Sequence, residues 1–363
     1  MSVVDLPPPA TRAGEHAGVR RAADRLVDRF GRVHRDLRVS LTDRCSLRCA
    51  YCMPADGVPW IAKDSILSTD ELVRVARVAA GLGITEVRLT GGEPLLRRDV
   101  VDVVRRMAEI ELSSGEGTLE VSLTTNGIRL AELAPALRDA GLARVNVSID
   151  TLRRDRFEAL TRRDRLGDVL AGIDAAVEAG FSPLKLNAVP MRGVNDDEFA
   201  DLVRFAVSKG ASIRFIEQMP LDAGHTWSRT EMVTGEEILA ALSAEFELRP
   251  VGERGSSPAE VFAIGPFGAD PTAGAAPTLG VIASVTAPFC GACDRVRLTA
   301  DGQIRNCLFA REESDLLPLL RGGGADEDLA RVLVASIAGK RAGHGIDEPG
   351  FLQPRRPMSA IGG

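Results

Sequence analysis

Six cysteines carry the strongest chemical signal in this 363-residue chain. Cys45, Cys49 and Cys52 follow a Cys-x3-Cys-x2-Cys spacing, and Cys290, Cys293 and Cys307 follow Cys-x2-Cys-x13-Cys. Two separated groups of three read as metal or redox centres rather than as a disulfide framework. A zinc ion on Cys49, Cys52, Cys290 and Cys293 would have the four ligands of a structural site but would strand Cys45 and Cys307. A cubane iron–sulfur cluster on each triplet strands none. Three thiolates leave one iron of each four-iron cluster open to a non-protein ligand, which is what a reactive metal site needs.

A second chemical signal lies in the basic residues. Only Lys63, Lys185, Lys209 and Lys340 are lysines among 45 basic residues, so a single arginine says little and a lysine somewhat more. Arg38, Arg88, Lys185 and Arg214 nevertheless lie on the shared polar face of four strand-like segments. Arginine forks suit phosphate oxygens, so the four together read as a polyanion site. Arg295 and Arg297 alternate with Val296 and Leu298 directly after Cys293, which puts two more cations on one strand face beside the second triplet. Asp301-Gly302 is a hairpin signal that would bring Cys307 back toward Cys290 and Cys293.

The elements that must position these residues follow from alternation. Strand patterns are predicted near 37–42, 85–90, 119–124, 144–150, 184–189 and 212–217. Helical patterns lie between them at 69–81, 97–110, 130–140, 167–179 and 196–209, with Gly141, Gly180 and Gly210 at expected helix stops. Six βα repeats imply a parallel sheet curled into a partial or full barrel. Both faces of such a sheet are normally apolar. Here one face of nearly every strand is polar: Arg38, Ser40 and Thr42; Arg88 and Thr90; Ser122 and Thr124; Asn146, Ser148 and Asp150; Lys185 and Asn187. A solvated antiparallel sheet would give the same pattern, but the intervening helices favour a polar, ligand-filled lumen.

Composition narrows the function classes. Net charge is −6 and aromatic residues are 4%, which argues against a nucleic-acid binder. No apolar run approaches the length of a membrane span, and Met1–Glu15 lacks the apolar core of a secretory signal, so a cytoplasmic protein is expected. Residues 1–34 read as an extension that is disordered at its start, and 265–280 as a flexible surface loop.

The stretch Leu37–Cys52, with Tyr51 before the third cysteine, resembles the signature of radical S-adenosylmethionine (SAM) enzymes, and Leu-Thr-Gly-Gly-Glu-Pro at 89–94 resembles their glycine-rich segment. Thr-Thr-Asn-Gly (124–127), Asn-Val-Ser-Ile-Asp (146–150), Phe-Ile-Glu-Gln-Met (215–219), Cys-x2-Cys-Asp-Arg-x-Arg-Leu and a terminal Gly362-Gly363 extend the likeness. From about residue 35 onward the chain resembles the GTP 3′,8-cyclase family of molybdenum cofactor biosynthesis.

The resemblance implies a partial (β/α)6-type barrel over 35–230, preceded by the 1–34 extension. A C-terminal α+β domain over 231–345 would carry the second cluster, and a tail would span 346–363. It implies two 4Fe–4S clusters, on Cys45, Cys49 and Cys52 and on Cys290, Cys293 and Cys307. Tyr51, Gly92, Ser148 and Met219 match SAM-contacting positions. Arg38, Arg88, Thr124, Lys185, Arg214, Arg295 and Arg297 match GTP-contacting positions. The first cluster would cleave SAM reductively, the resulting radical would take the ribose 3′ hydrogen, and carbon 3′ would attack guanine C8. Arg295, Arg297, Gly362 and Gly363 would assist this chemistry. Implied partners are GTP, an external electron donor and a downstream cyclic pyranopterin monophosphate synthase; a homodimer is left open. Glu86 stands where some relatives carry a further basic residue. The competing readings are a radical SAM peptide-modifying enzyme with an auxiliary cluster, and a non-catalytic metal or electron-transfer module.

Overall fold

The computed structural model describes residues 25–265 and 276–362. The expected disordered start of the extension, most of the 265–280 loop and Gly363 fall outside these residues.

Six parallel strands form in chain order: β1 (Asp36–Ser40), β2 (Glu86–Thr90), β3 (Glu120–Thr125), β4 (Arg144–Ser148), β5 (Lys185–Ala188) and β6 (Ser212–Ile216). Each lies within two residues of its predicted limits at the start and two at the end. Later strands are β7 (Glu247–Pro250), β8 (Glu260–Gly265), β9 (Thr278–Ile282), β10 (Arg295–Leu298), β11 (Gln303–Arg305) and β12 (Ser314–Asp315). All join one sheet in the order β12-β11-β10-β1-β2-β3-β4-β5-β6-β9-β8-β7. β10 pairs parallel with β1, and β9 parallel with β6, so strands from the second half of the chain extend the sheet at both ends. β9 starts inside the segment expected to be a loop: Thr278, Leu279 and Gly280 alternate into pairing with β6 and β8, which the glycine- and proline-rich composition around them hides.

The outward strand faces build the core. Leu37, Val39, Val87, Leu89, Val121, Leu123, Val145, Val147, Leu186 and Phe215 are fully buried against the outer helices. Removing one such side chain, as in Leu89→Ala, costs about 2–5 kcal/mol through lost burial and the cavity left behind. The helix Thr69–Gly81 shows the local logic. Ser68 caps it, Glu71 completes a capping box, and its apolar stripe (Leu72, Val73, Val75, Ala76, Val78, Ala79, Ala80) is buried. Gly141, Gly180 and Gly210 follow their helices with φ of 92°, 74° and 63°, a left-handed turn that favours glycine. The helix Arg154–Thr161 was not anticipated, because half of its residues are charged and it buries only Phe157, Leu160 and Thr161.

The inward faces form layers. The registers Asp36↔Glu86 and Glu86↔Glu120 set an acidic row near the strand starts. Arg38↔Arg88 and Arg38↔Arg297 put a basic row above it. Ser40↔Thr90 begins a hydroxyl row at the strand ends. The strands are curled, because residues of β1, β2, β3, β5, β6, β9 and β10 all line one cavity.

Candidate active site

The strand ends deliver two adjoining cavities, each holding one thiol triplet. Cys45, Cys49 and Cys52 line one of about 1170 Å³, counting its mouth, and Cys290, Cys293 and Cys307 line another of about 1010 Å³. Thr124, Asn187, Ile216, Met219 and Met358 border both. All six cysteines are free, and the four that could have formed a single zinc site are divided between the two cavities.

The first triplet sits on the loop after β1. That loop is tied to the unanticipated helix by Arg48 N–H donating to Thr161 O (2.9 Å) and Ala50 N–H to Leu160 O (2.9 Å). Cys52 N–H closes a turn onto Cys49 O (2.9 Å). Leu47 N–H and Asn126 Nδ2 donate to Cys45 Sγ at 3.4 and 3.7 Å. Burial pushes the Cys45 and Cys49 thiols up and Cys52 up to about 12. Such thiols ionise readily only when a metal core supplies positive charge. The donor set therefore fits an iron–sulfur cluster.

Tyr51, Gly92, Ser148 and Met219 line this first cavity. Tyr51 Oη donates to Asp150 Oδ2 (2.8 Å), which fixes its ring. The two glycines pack against the thiol loop itself. A Cβ on Gly91 would meet Thr42 O at 2.3 Å, and one on Gly92 would meet Arg44 O at 2.4 Å. Gly92 N–H and Glu93 N–H donate to Thr42 O and Arg44 O, both at 2.7 Å. The Glu93 carboxylate is engaged by Leu95 N–H, Thr125 Oγ1 and Asn126 N–H, so it joins β2 to β3.

Arg38, Arg88, Thr124, Arg214, Arg295 and Arg297 line the second cavity; Lys185 lies next to them on the sheet but lines neither cavity. Burial lowers the pKa of Lys185 to about 8, with Arg214, Arg144 and Arg88 acting in the same direction. Asp36 is the counter-charge: it lies 3.6 Å from Arg38 and 3.5 Å from Arg295. Burial would raise its pKa, but Arg38 and Arg88 beside it hold it low. Arg38 Nε, Arg88 Nε and Arg295 Nε are buried donors without a hydrogen-bond partner among the described residues. Buried donors of this kind suit an anionic ligand with many acceptor oxygens.

Sequence reasoning missed several supporting residues. Arg144 on β4 pairs with Glu86 (3.0 Å) and Glu120. Lys340 Nζ donates to Cys293 Sγ (3.4 Å), and Arg32 to Cys290 O (2.5 Å). The scarcity of lysine could have drawn attention to Lys340. Burial pushes the Cys293 thiol up, yet Lys340 and Arg295 outweigh this and bring it below its ordinary value. The C-terminal tail also reaches this region. Arg297 donates to Gly362 O. Gly362 has φ 74°, and a Cβ there would lie 2.3 Å from Thr90 Oγ1 and 2.5 Å from Ser40 Oγ. No helix among the described residues is long and apolar enough to cross a membrane.

Comparisons with known proteins agree with this geometry. Residues 39–206 match the Radical SAM superfamily, and 211–346 match Molybdenum Cofactor Synthesis C. The chain is 55% identical over 357 residues to a GTP 3′,8-cyclase of Streptomyces coelicolor, covering 98% of each. It is 52% identical to one of Corynebacterium glutamicum, over 93% of this chain and 89% of that one. It is 50% identical over the full length of both to one of Mycobacterium ulcerans. Among solved structures, Streptococcus suis SuiB bound to S-adenosylmethionine superposes with a TM-score of 0.56 at 14% identity. That match covers 85% of this chain and 68% of the other, a likeness of fold.

Proposed function

The chain belongs to the GTP 3′,8-cyclase family of radical SAM enzymes, and from that membership we propose how its residues divide the work. Its activity is GTP 3′,8-cyclisation in molybdenum cofactor synthesis, and a 4Fe–4S cluster and SAM are part of it. We assign that cluster to Cys45, Cys49 and Cys52, and a second one to Cys290, Cys293 and Cys307. When bound, the first cluster with SAM supplies a 5′-deoxyadenosyl radical, and the second an open iron for guanine.

The single observation carrying this assignment is the shared wall: two thiol-bearing cavities meet at Thr124, Asn187, Ile216, Met219 and Met358. With SAM held in one cavity and GTP in the other, these shared residues would set the substrate's sugar beside the radical chemistry that the cofactor supplies. Tyr51, Gly92, Ser148 and Met219 hold SAM. Arg38, Arg88, Arg214, Arg295 and Arg297 take the triphosphate, Lys185 adds its charge from beside Arg214 on the sheet, and Thr124 lies nearer the sugar. Asp36 neutralises part of this cluster before the substrate's own charge arrives. Arg297 anchors the tail through Gly362, which lies beside Ser40 and Thr90, and the family resemblance gives Gly363 a part in the same chemistry.

On this reading the chain divides into the 1–34 extension, a barrel over 35–230, an auxiliary-cluster domain over 231–345 and the 346–363 tail. It works in the cytoplasm with an external electron donor, delivers its product to a cyclic pyranopterin monophosphate synthase, and is open to homodimer formation. The test is anaerobic incubation with SAM, a reductant and each of the four nucleoside triphosphates. GTP alone should be cyclised, by protein carrying about eight iron and eight sulfide per chain. Stoichiometric zinc without sulfide, or equal turnover of all four nucleotides, would defeat the assignment.

A further inference from the structure

Lys340 is a buried lysine, 3% exposed, two residues beyond the helix Asp326–Ala338. Its Nζ donates to Cys293 Sγ (3.4 Å) and to Arg295 O (2.7 Å). A buried ammonium normally faces a carboxylate. Here the side-chain acceptor that its ammonium meets is Cys293 Sγ, with the Arg295 carbonyl as the second acceptor. Its side-chain partner is therefore a sulfur of the second thiol triplet.

The loop before β1 keeps it there. Arg32 donates to Cys290 O (2.5 Å), Arg341 O (2.7 Å) and Ala342 O (3.0 Å). One guanidinium thus clamps the thiol loop to the turn that follows Lys340. Arg32 is itself held by a buried ion pair with Asp28 (2.5 Å). A flexible four-carbon side chain is in this way given one place to put its charge.

We infer that Lys340 is a tuning residue of the second iron–sulfur centre: its ammonium, bonded to a ligating sulfur and held in place by the Arg32 clamp, stabilises the reduced cluster and raises its reduction potential. The inference rests on the assignment of a cluster to Cys290, Cys293 and Cys307. Hydrogen bonds to the sulfurs and the net charge nearby are the protein's levers on such potentials. A cluster held by three thiolates gains one further negative charge when a one-electron donor reduces it. A fixed cation at one of those sulfurs stabilises the more negative state more.

The test is an anaerobic dithionite titration of the holoenzyme, followed by electron paramagnetic resonance, with iron and sulfide counted in each sample. Lys340→Met removes charge and donor, Lys340→Gln keeps a donor without charge, and Lys340→Arg restores the charge. The Met and Gln variants should retain both clusters and show a lower midpoint for the second, with the first unchanged and the Arg variant closer to wild type. If the Met variant loses the cluster, the Gln and Arg variants decide by the same comparison. Fully loaded variants with unchanged midpoints, or an equal shift in both clusters, would overturn the inference and leave the second cluster standing. Wild-type protein with iron for one cluster only would overturn the assignment beneath it.

Discussion

Lys185, proposed to add its charge to the triphosphate site, would make substrate binding depend on pH. Burial, then Arg214, Arg144 and Arg88, lower its pKa from 10.5 to about 8. As pH rises through 8 the free enzyme loses this charge, so GTP affinity should fall between pH 7 and 9.5. Lys185→Arg should flatten the profile, because a guanidinium stays charged; equilibrium dialysis at several pH values checks both. For folding the sign is opposite. Between about pH 8 and 10.5 the unfolded chain binds more protons at this residue, so this group makes the fold more stable as pH rises. Lys185→Ala or Arg214→Ala should weaken GTP binding about ten- to hundredfold, the loss of a charge-assisted bond of about 1.5–3 kcal/mol, and leave SAM binding unchanged. Isothermal titration with each ligand separates the two. Gly362→Ala should retain both clusters yet cyclise poorly, since its Cβ has no room beside Thr90 and Ser40. Undiminished product on chromatography would show that the tail is dispensable there.

At the scale of elements, the Gly91-Gly92 turn acts through the neighbouring loop. Its backbone donates to the strand end and loop that lead into Cys45, and both missing side chains make room for carbonyl groups. Gly92→Ala should therefore lower the iron content of the first cluster before it affects SAM affinity. Iron analysis of the purified variant, set against SAM binding per loaded cluster, reads this directly. The β10–β11 hairpin plays the corresponding part for the second triplet. Its Arg297↔Arg305 register brings the chain back so that Cys307 lines the same cavity as Cys290 and Cys293. The βα rhythm of β1 to β6 was legible because alternating polar and apolar residues end at helix-stopping glycines. The helix Arg154–Thr161 was not, because only three of its residues face the core.

At the scale of the molecule, one sheet runs through both halves of the chain. A fragment ending at residue 230 would leave the open sides of β1 and β6 without β10 and β9. Exposed strand edges recruit other chains. Such a fragment should aggregate or be digested far faster than the full chain in limited proteolysis, with gel filtration as the second measure. A soluble, protease-resistant fragment would show that the first half folds alone.

Residue types and spacings, read alone, determined the chemistry. Two complete cysteine triplets, a row of cations on strand faces and the glycine-rich segment are local patterns, each set by a few neighbouring positions. Tertiary structure alone decided what these groups meet. The shared wall of the two cavities, Asp36 beside Arg295, Glu93 engaged between β2 and β3, Arg144 on its two carboxylates and Lys340 on Cys293 all join residues far apart in the chain. Such contacts depend on how the sheet curls and on which late strands close its edges. Those are set by packing across the whole molecule, which no local period or spacing records.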